Sequence, residues 1–157
     1  MHSVSSRIIT LSSILFNATT ILLFSICIFT YIADKRRAPC NLRIVSVQPV
    51  TTHSMGKNVV FSPQVDLKDH FHLNVKQVFL YLRMHNKTTS EMVWSEIVGR
   101  SSSKRFYENL VNTYRFFDIT DGSKVRFELR GCVFPYVGMV QDKLLGSVVM
   151  TVKHPNK

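Results

Sequence analysis

The chain has 157 residues, of which 45% are hydrophobic and 19% charged, with a formal net charge of +10. Past Ala38 the charge is dispersed: sixteen Lys or Arg stand against nine Asp or Glu, and no basic run there is longer than Lys104-Arg105. A nucleic-acid reader gathers its charge into one patch, and no glycine-rich phosphate loop occurs. Nucleic acid is therefore excluded as a partner, and the charge suits lipid headgroups or an acidic protein surface.

From Ile8 to Ala33 no side chain is charged. About 20 apolar residues cross the ~30 Å hydrocarbon core, and a backbone in lipid must bond to itself, so the stretch predicts a transmembrane helix. A cleavable signal peptide fits poorly, because its apolar region is about 7–15 residues and cutting after Ala18 leaves the apolar run Thr19 to Ala33. The hydroxyls of Ser12, Ser13, Thr19, Thr20, Ser25 and Thr30 have two readings: a face for another membrane helix, or bonds back to their own helix. Arg7 precedes the stretch and Asp34-Lys35-Arg36-Arg37 follows it; by the Lys and Arg count alone, the C-terminal part would stay in the cytosol. Cys27 reads as a small apolar residue, and Cys40 and Cys132 could pair in an oxidising lumen.

With the anchor set aside, about 120 residues remain, enough for one core. Leu42 to Val47 alternates in part and is closed by Pro49. Val59, Phe61, Val65 and Leu67 share one face of a half-buried strand, with Pro63 marking an edge or bulge. Val75 to Met84 reads as a central strand and Met92 to Val98, with Trp94, as another. Ser103 to Val111 has helical spacing, placing Phe106, Leu110 and Val111 on one side. Tyr114 to Ile119 is an aromatic run expected to be buried. Val125 to Val133 alternates most cleanly, with Val125, Phe127, Leu129 and Val133 inward, and Leu144 to Val152 supplies a last strand. Several short strands with turns between them predict a mainly β chain, an antiparallel β-sandwich after the helix.

The residues give little support to catalysis. No serine sits in a glycine-bounded nucleophile turn, and Ser101-Ser102-Ser103 reads as a loop. His70 and His72 would point the same way on a strand, but no third metal ligand has a spacing to recommend it. Neither a catalytic residue, a metal nor a cofactor is expected. Asn86-Lys87-Thr88 is a glycosylation sequon in a surface loop; Asn17-Ala18-Thr19 has the same form inside the membrane segment, where it cannot be modified.

The segment Asp66 to Leu82 resembles the signature of signal peptidase complex subunit 3, through Asp66, Leu67, Phe71, Asn74, Lys76, Gln77, Phe79 and Tyr81. Val93-Trp94 with Ile97-Val98, the run Tyr114, Phe116, Phe117 and Asp118, and the late Pro135 and Gly138 extend the resemblance over almost the whole chain. Leu73 stands where the family has a tryptophan, a second family tryptophan near Gly131 is absent, and the family's own sequon, around Ser123 to Phe127, is missing.

The resemblance implies a single-pass, non-catalytic accessory subunit in the endoplasmic-reticulum membrane. It would have a cytosolic N-terminus (1–7), a signal anchor (8–33) and a lumenal β-sandwich (34–157), against the charge count at the anchor. Long domains translocate largely regardless of such a bias. Its partners would be the catalytic subunit of a serine-type endopeptidase, the other subunits of the complex, and membrane lipid. Asn74, Lys76 and Gln77, being polar, are the candidates for partner contact; Phe71, Phe79, Tyr81, Trp94 and Phe116 are the candidates for the core; Asn86 is the candidate glycosylation site. The alternative is an independent single-pass protein whose β-sandwich binds ligands through its loops.

Overall fold

The structure, a computed structural model, describes residues 4–35, 40, 42–49, 57–87, 89–102, 106–107, 109–116 and 122–152. The chain divides after Arg37 into two units, a helix and a β domain.

The first unit is the helix α1 (Val4–Lys35), about 48 Å long at ~1.5 Å per residue. Residues Val4–Ile32 are apolar and long enough to cross a membrane. Thr10, Thr19, Thr20, Ser25 and Thr30 each donate to the carbonyl four residues earlier, at 2.8–2.9 Å. Four of the hydroxyls with two readings, Thr19, Thr20, Ser25 and Thr30, are thus bonded back to their own helix, which occupies their hydrogens.

The β domain contains β1 (Arg43–Pro49), β2 (Lys57–Ser62), β3 (Val65–Asp66), β4 (Val75–His85), β5 (Ser90–Gly99), β6 (Phe106–Tyr107), β7 (Leu110–Val111), β8 (Lys124–Pro135) and β9 (Gln141–Thr151). One layer is a four-stranded antiparallel sheet in the order β5-β4-β8-β9. The other is built from the sheets β1-β2-β7 and β3-β6. Phe61 faces Leu110 and Val65 faces Tyr107, so these smaller sheets are two stretches of one ladder. Gln64 at φ +46° and Asn109 at φ +49° sit at the break, both in the left-handed region that interrupts a strand.

That break corrects two expectations. The single strand over 59–67 is split at Pro63, which has no amide hydrogen for the ladder, though Val59, Phe61, Val65 and Leu67 all stay buried. Among the described residues of the segment 103–111, strands stand where a helix was expected. Tyr107 and Leu110 pair with β3 and β2 instead, and pairing plus burial of Tyr107 outweighs a short helical spacing. His70 lies in a single 3-10 turn (Lys68–His70) rather than on a strand, which removes the premise that His70 and His72 point together.

On the inner face of the four-stranded sheet, Val78, Leu80, Leu82 and Met84 of β4 lie beside Val125, Phe127, Leu129 and Val133 of β8, all buried. Trp94 stands edge-on to Phe61 at 5.5 Å and 72°, and to Tyr107 at 6.3 Å and 67°, the favourable geometry for ring quadrupoles. Phe116 is buried, and Phe71 packs half-buried against the same core. Tyr114, expected inside, is largely exposed, with its hydroxyl 3.1 Å from Ser95 Oγ. Tyr107 donates its hydroxyl to Glu96 Oε1 at 3.1 Å. Burial first, and the Glu96 carboxylate second, hold its phenol well above the ordinary value.

The chain enters the β domain at Cys40, whose amide donates to the Leu145 carbonyl at 2.9 Å. Cys40 and Cys132 are free thiols. Burial pushes Cys40 up to about 11, against an opposing backbone hydrogen bond, and raises Cys132, with Asp142 adding to it. Gly146 is what lets the entry segment lie so close to β9: a Cβ there would stand 2.9 Å from the Cys40 carbonyl oxygen and 3.1 Å from Leu42 Cβ. Gly146→Ala should therefore push the Cys40–Leu42 segment off the sheet. The expected cost is ~1–3 kcal/mol by the usual penalty for overpacking, read as a lower melting temperature of the full chain in detergent. Gly99→Ala, which meets nothing within 4 Å, is the matched control.

Candidate interaction face

β4 is the middle of the chemistry because it is paired on both sides, with β5 and with β8. Side chains alternate across a strand, so burial of Val78, Leu80, Leu82 and Met84 forces Gln77, Phe79, Tyr81, Arg83 and His85 to the outer face. Phe79 and Tyr81, expected in the core, are the correction here: both are half-buried on that outer face and stack on each other at 5.4 Å and 24°. Ile97 of β5, opposite Phe79, is 64% exposed. Phe134 of β8 lies opposite Gln77 and is half-buried. The outer face is thus an aromatic and aliphatic stripe on a sheet.

Its polar border is built by Asp142. Arg130 grips that carboxylate from Nε and Nη2, at 3.1 and 2.9 Å to Oδ2, and Tyr81 donates to it at 3.1 Å. Two-pronged guanidinium binding is the strong form of such a pair. The bond to Asp142 is the main reason Arg130 is held above its ordinary value; Tyr81 is raised first by burial and then by Asp142. Farther along, His85 Nε2 lies 3.3 Å from Glu128 Oε2, beside a shallow groove of about 430 Å³ that Asn86 and Arg126 also line.

The three polar candidates do not share one role. Lys76 is exposed and Gln77 half-buried, so both remain available. Asn74 is buried, at 7% exposure, and clips two loops together. Its Nδ2 donates to the Val137 carbonyl at 2.7 Å, its Oδ1 accepts from the Val137 amide at 3.0 Å, and its own carbonyl accepts from the Tyr136 amide at 2.9 Å. A buried amide so bonded is a structural group rather than a contact surface. Asn86 begins the turn between β4 and β5, its amide donating to the Thr89 carbonyl at 2.9 Å; Thr88 of the sequon lies outside the described residues. Among the described residues no three His, Cys, Asp or Glu side chains gather as a metal site would require.

Residue reading alone missed the Tyr81-Arg130-Asp142 group, since Tyr81 was assigned inward and Asp142 stood in a loop. A signal for the outer stripe was present: Ile97 and Phe134 fall on the outward phase of strands whose inward phase is already apolar.

Asn74→Ala should leave the Val137 amide and carbonyl without their Asn74 partners at a half-buried position. The expected loss is about 2 kcal/mol, seen as a lower melting temperature, whereas Phe79→Ala on the outer face should cost less than that.

Comparison with known proteins places these features in a family. The family model described as "Signal peptidase subunit" matches residues 1–155, which takes in both the helix and the β domain. Signal peptidase complex subunit 3 of Gallus gallus is 28% identical over 174 aligned positions, covering 99% of this chain and 96% of that protein. Signal peptidase complex subunit 3 of Saccharomyces cerevisiae is 31% identical over 110, covering 63% of this chain and 60% of that protein. No solved structure shows a significant match. The chain belongs to the signal peptidase subunit family.

Proposed function

As a member of that family, the chain, we propose, is a non-catalytic accessory subunit of the signal peptidase complex of the endoplasmic-reticulum membrane. The observation that carries this is the family match across residues 1–155, because it spans anchor and domain together. The helix α1 holds the chain in the bilayer, and residues 34–157 lie in the lumen, giving a type II orientation. Peptide-bond cleavage by a serine nucleophile belongs to a separate catalytic subunit, which this domain supports and positions. A rigid sheet suits that task, since positioning groups work best on regular elements rather than loops. The contact surface is the outer face of the four-stranded sheet, with Phe79, Tyr81 and Ile97 as its apolar centre and Lys76 and Gln77 at its polar margin. That arrangement follows the usual anatomy of a protein interface, an apolar centre with a polar rim.

Affinity purification of the tagged chain from gently solubilised membranes, with mass spectrometry of what co-purifies, should recover the catalytic subunit in near-equal amount. Its absence from a folded, membrane-bound chain would favour the independent binding protein. The double variant Lys76→Glu with Gln77→Ala should reduce that recovery several-fold while the melting temperature stays within a degree or two of wild type. An intact complex with this variant would remove both residues from the contact.

Lumenal placement has its own readout. Asn86 should carry a glycan in cells, seen as a gel-mobility shift abolished by endoglycosidase and by Asn86→Gln. A cytosolic domain would show no shift with either.

A further inference from the structure

One end of the β domain presents apolar side chains where polar turn residues are the rule. Leu73 is 81% exposed, Met139 86%, Tyr136 59% and Val140 52%. They lie on two turns, His72–Val75, closed by the Val75 amide bond to the His72 carbonyl at 3.1 Å, and the segment 136–140 between β8 and β9. The turns are not loose. The Asn74 clip ties them together through Val137 and Tyr136, and Arg100 Nη1 donates to the carbonyls of His72 at 3.0 Å and Leu73 at 3.1 Å. Gly138, at φ +116°, supplies a backbone conformation that side chains resist. A buried amide and a guanidinium are thus spent on holding four apolar side chains out in solvent.

We propose that this tip, Leu73, Tyr136, Met139 and Val140, inserts into the headgroup–acyl boundary of the bilayer that α1 crosses. Two observations choose lipid over another protein. The first is charge. Beside the tip stand Lys76, exposed at the start of β4, and Arg100, bonded against the tip itself, while the carboxylate that follows it, Asp142, is already held by Arg130 and Tyr81. Cations beside an apolar surface suit headgroup phosphates, and tyrosine is at home in that layer. The second is tethering. Only four residues separate Lys35, the last of α1, from Cys40, where the chain bonds to β9. That stretch spans at most ~18 Å, so a membrane-anchored chain meets its own bilayer at high effective concentration. A small apolar surface then suffices, and the catalytic subunit has the separate outer face of the sheet to engage.

The lipid contact needs no catalytic partner, so it is tested apart from the proposed function. The wild-type full chain is reconstituted in phosphatidylcholine vesicles and footprinted with hydroxyl radicals, with oxidation read residue by residue by mass spectrometry. Met92, 43% exposed on the domain, is the internal reference. In water Met139 should oxidise faster than Met92. In vesicles the inference expects the order to reverse, with Tyr136 protected as well, and expects Leu73→Asp with Met139→Asp to restore oxidation of Tyr136. Met139 still oxidising faster than Met92 in vesicles would overturn it. So would protection that appears only when the catalytic subunit is co-reconstituted, which would assign the tip to a protein instead.

Discussion

The alternation of β4 is the constraint on which the rest of the β domain depends. This strand is hydrogen-bonded on both flanks, to β5 and β8, so it cannot slip without breaking two ladders at once. A slip of one residue would exchange Val78, Leu80, Leu82 and Met84 for Gln77, Phe79, Tyr81 and Arg83. That would bury a guanidinium and an amide and expose four aliphatic side chains, a cost far beyond any gain from placing two aromatic rings inside. The register is therefore settled by the whole set rather than by any one residue. It is also why Phe79 and Tyr81, the most hydrophobic-looking members of the strand, end up on the outside.

An outer face rich in rings and aliphatic side chains needs something to keep it specific. The Tyr81-Arg130-Asp142 group gives it a polar border: three side chains from β4, β8 and β9 are bonded to one another at about 3 Å. The ion pair is two-pronged, the stronger form of such a contact, though it lies at the surface, with Asp142 41% exposed. In the proposed contact, a partner at this face would meet a polar margin beside the stacked rings, and would have to match both. Loose apolar surface would bind indiscriminately; this surface has an orientation.

Much of this was legible from the residues because the signals were periodic. The uncharged run ahead of Asp34 marked α1, and the alternation from Val125 to Val133 marked β8 and its inward set. The family resemblance reached the same anchor-plus-sandwich architecture through the Asn74 to Tyr81 motif. What failed was local. The 103–111 segment carried a helical spacing, but Asn109 in the left-handed region and pairing of Tyr107 with Val65 are long-range outcomes that no window of nine residues contains. Phe79 and Tyr81 were misassigned because hydrophobicity was weighed residue by residue, while the phase of the strand decides the side. Asn74 was judged by polarity alone, and polarity does not distinguish a residue that meets a partner from one that closes a turn on Val137.

The clip at Asn74 connects the two surfaces of the domain. It sits at the start of β4, so the same strand that sets the outer stripe also fixes the turn bearing Leu73. Through Val137 and Tyr136 it fixes the loop that leads into β9 and Asp142. In the proposed arrangement, with the tip at the bilayer and the sheet face toward another subunit, both contacts require that angle between tip and sheet to be constant. Covalent continuity along β4 and three hydrogen bonds at one buried amide achieve this with few residues. The exposed Leu73 and Met139 would be a liability in a freely diffusing protein. Under the proposed insertion, the same exposure becomes useful in a chain tied to a membrane by α1, because an apolar phase then lies within reach of the tether.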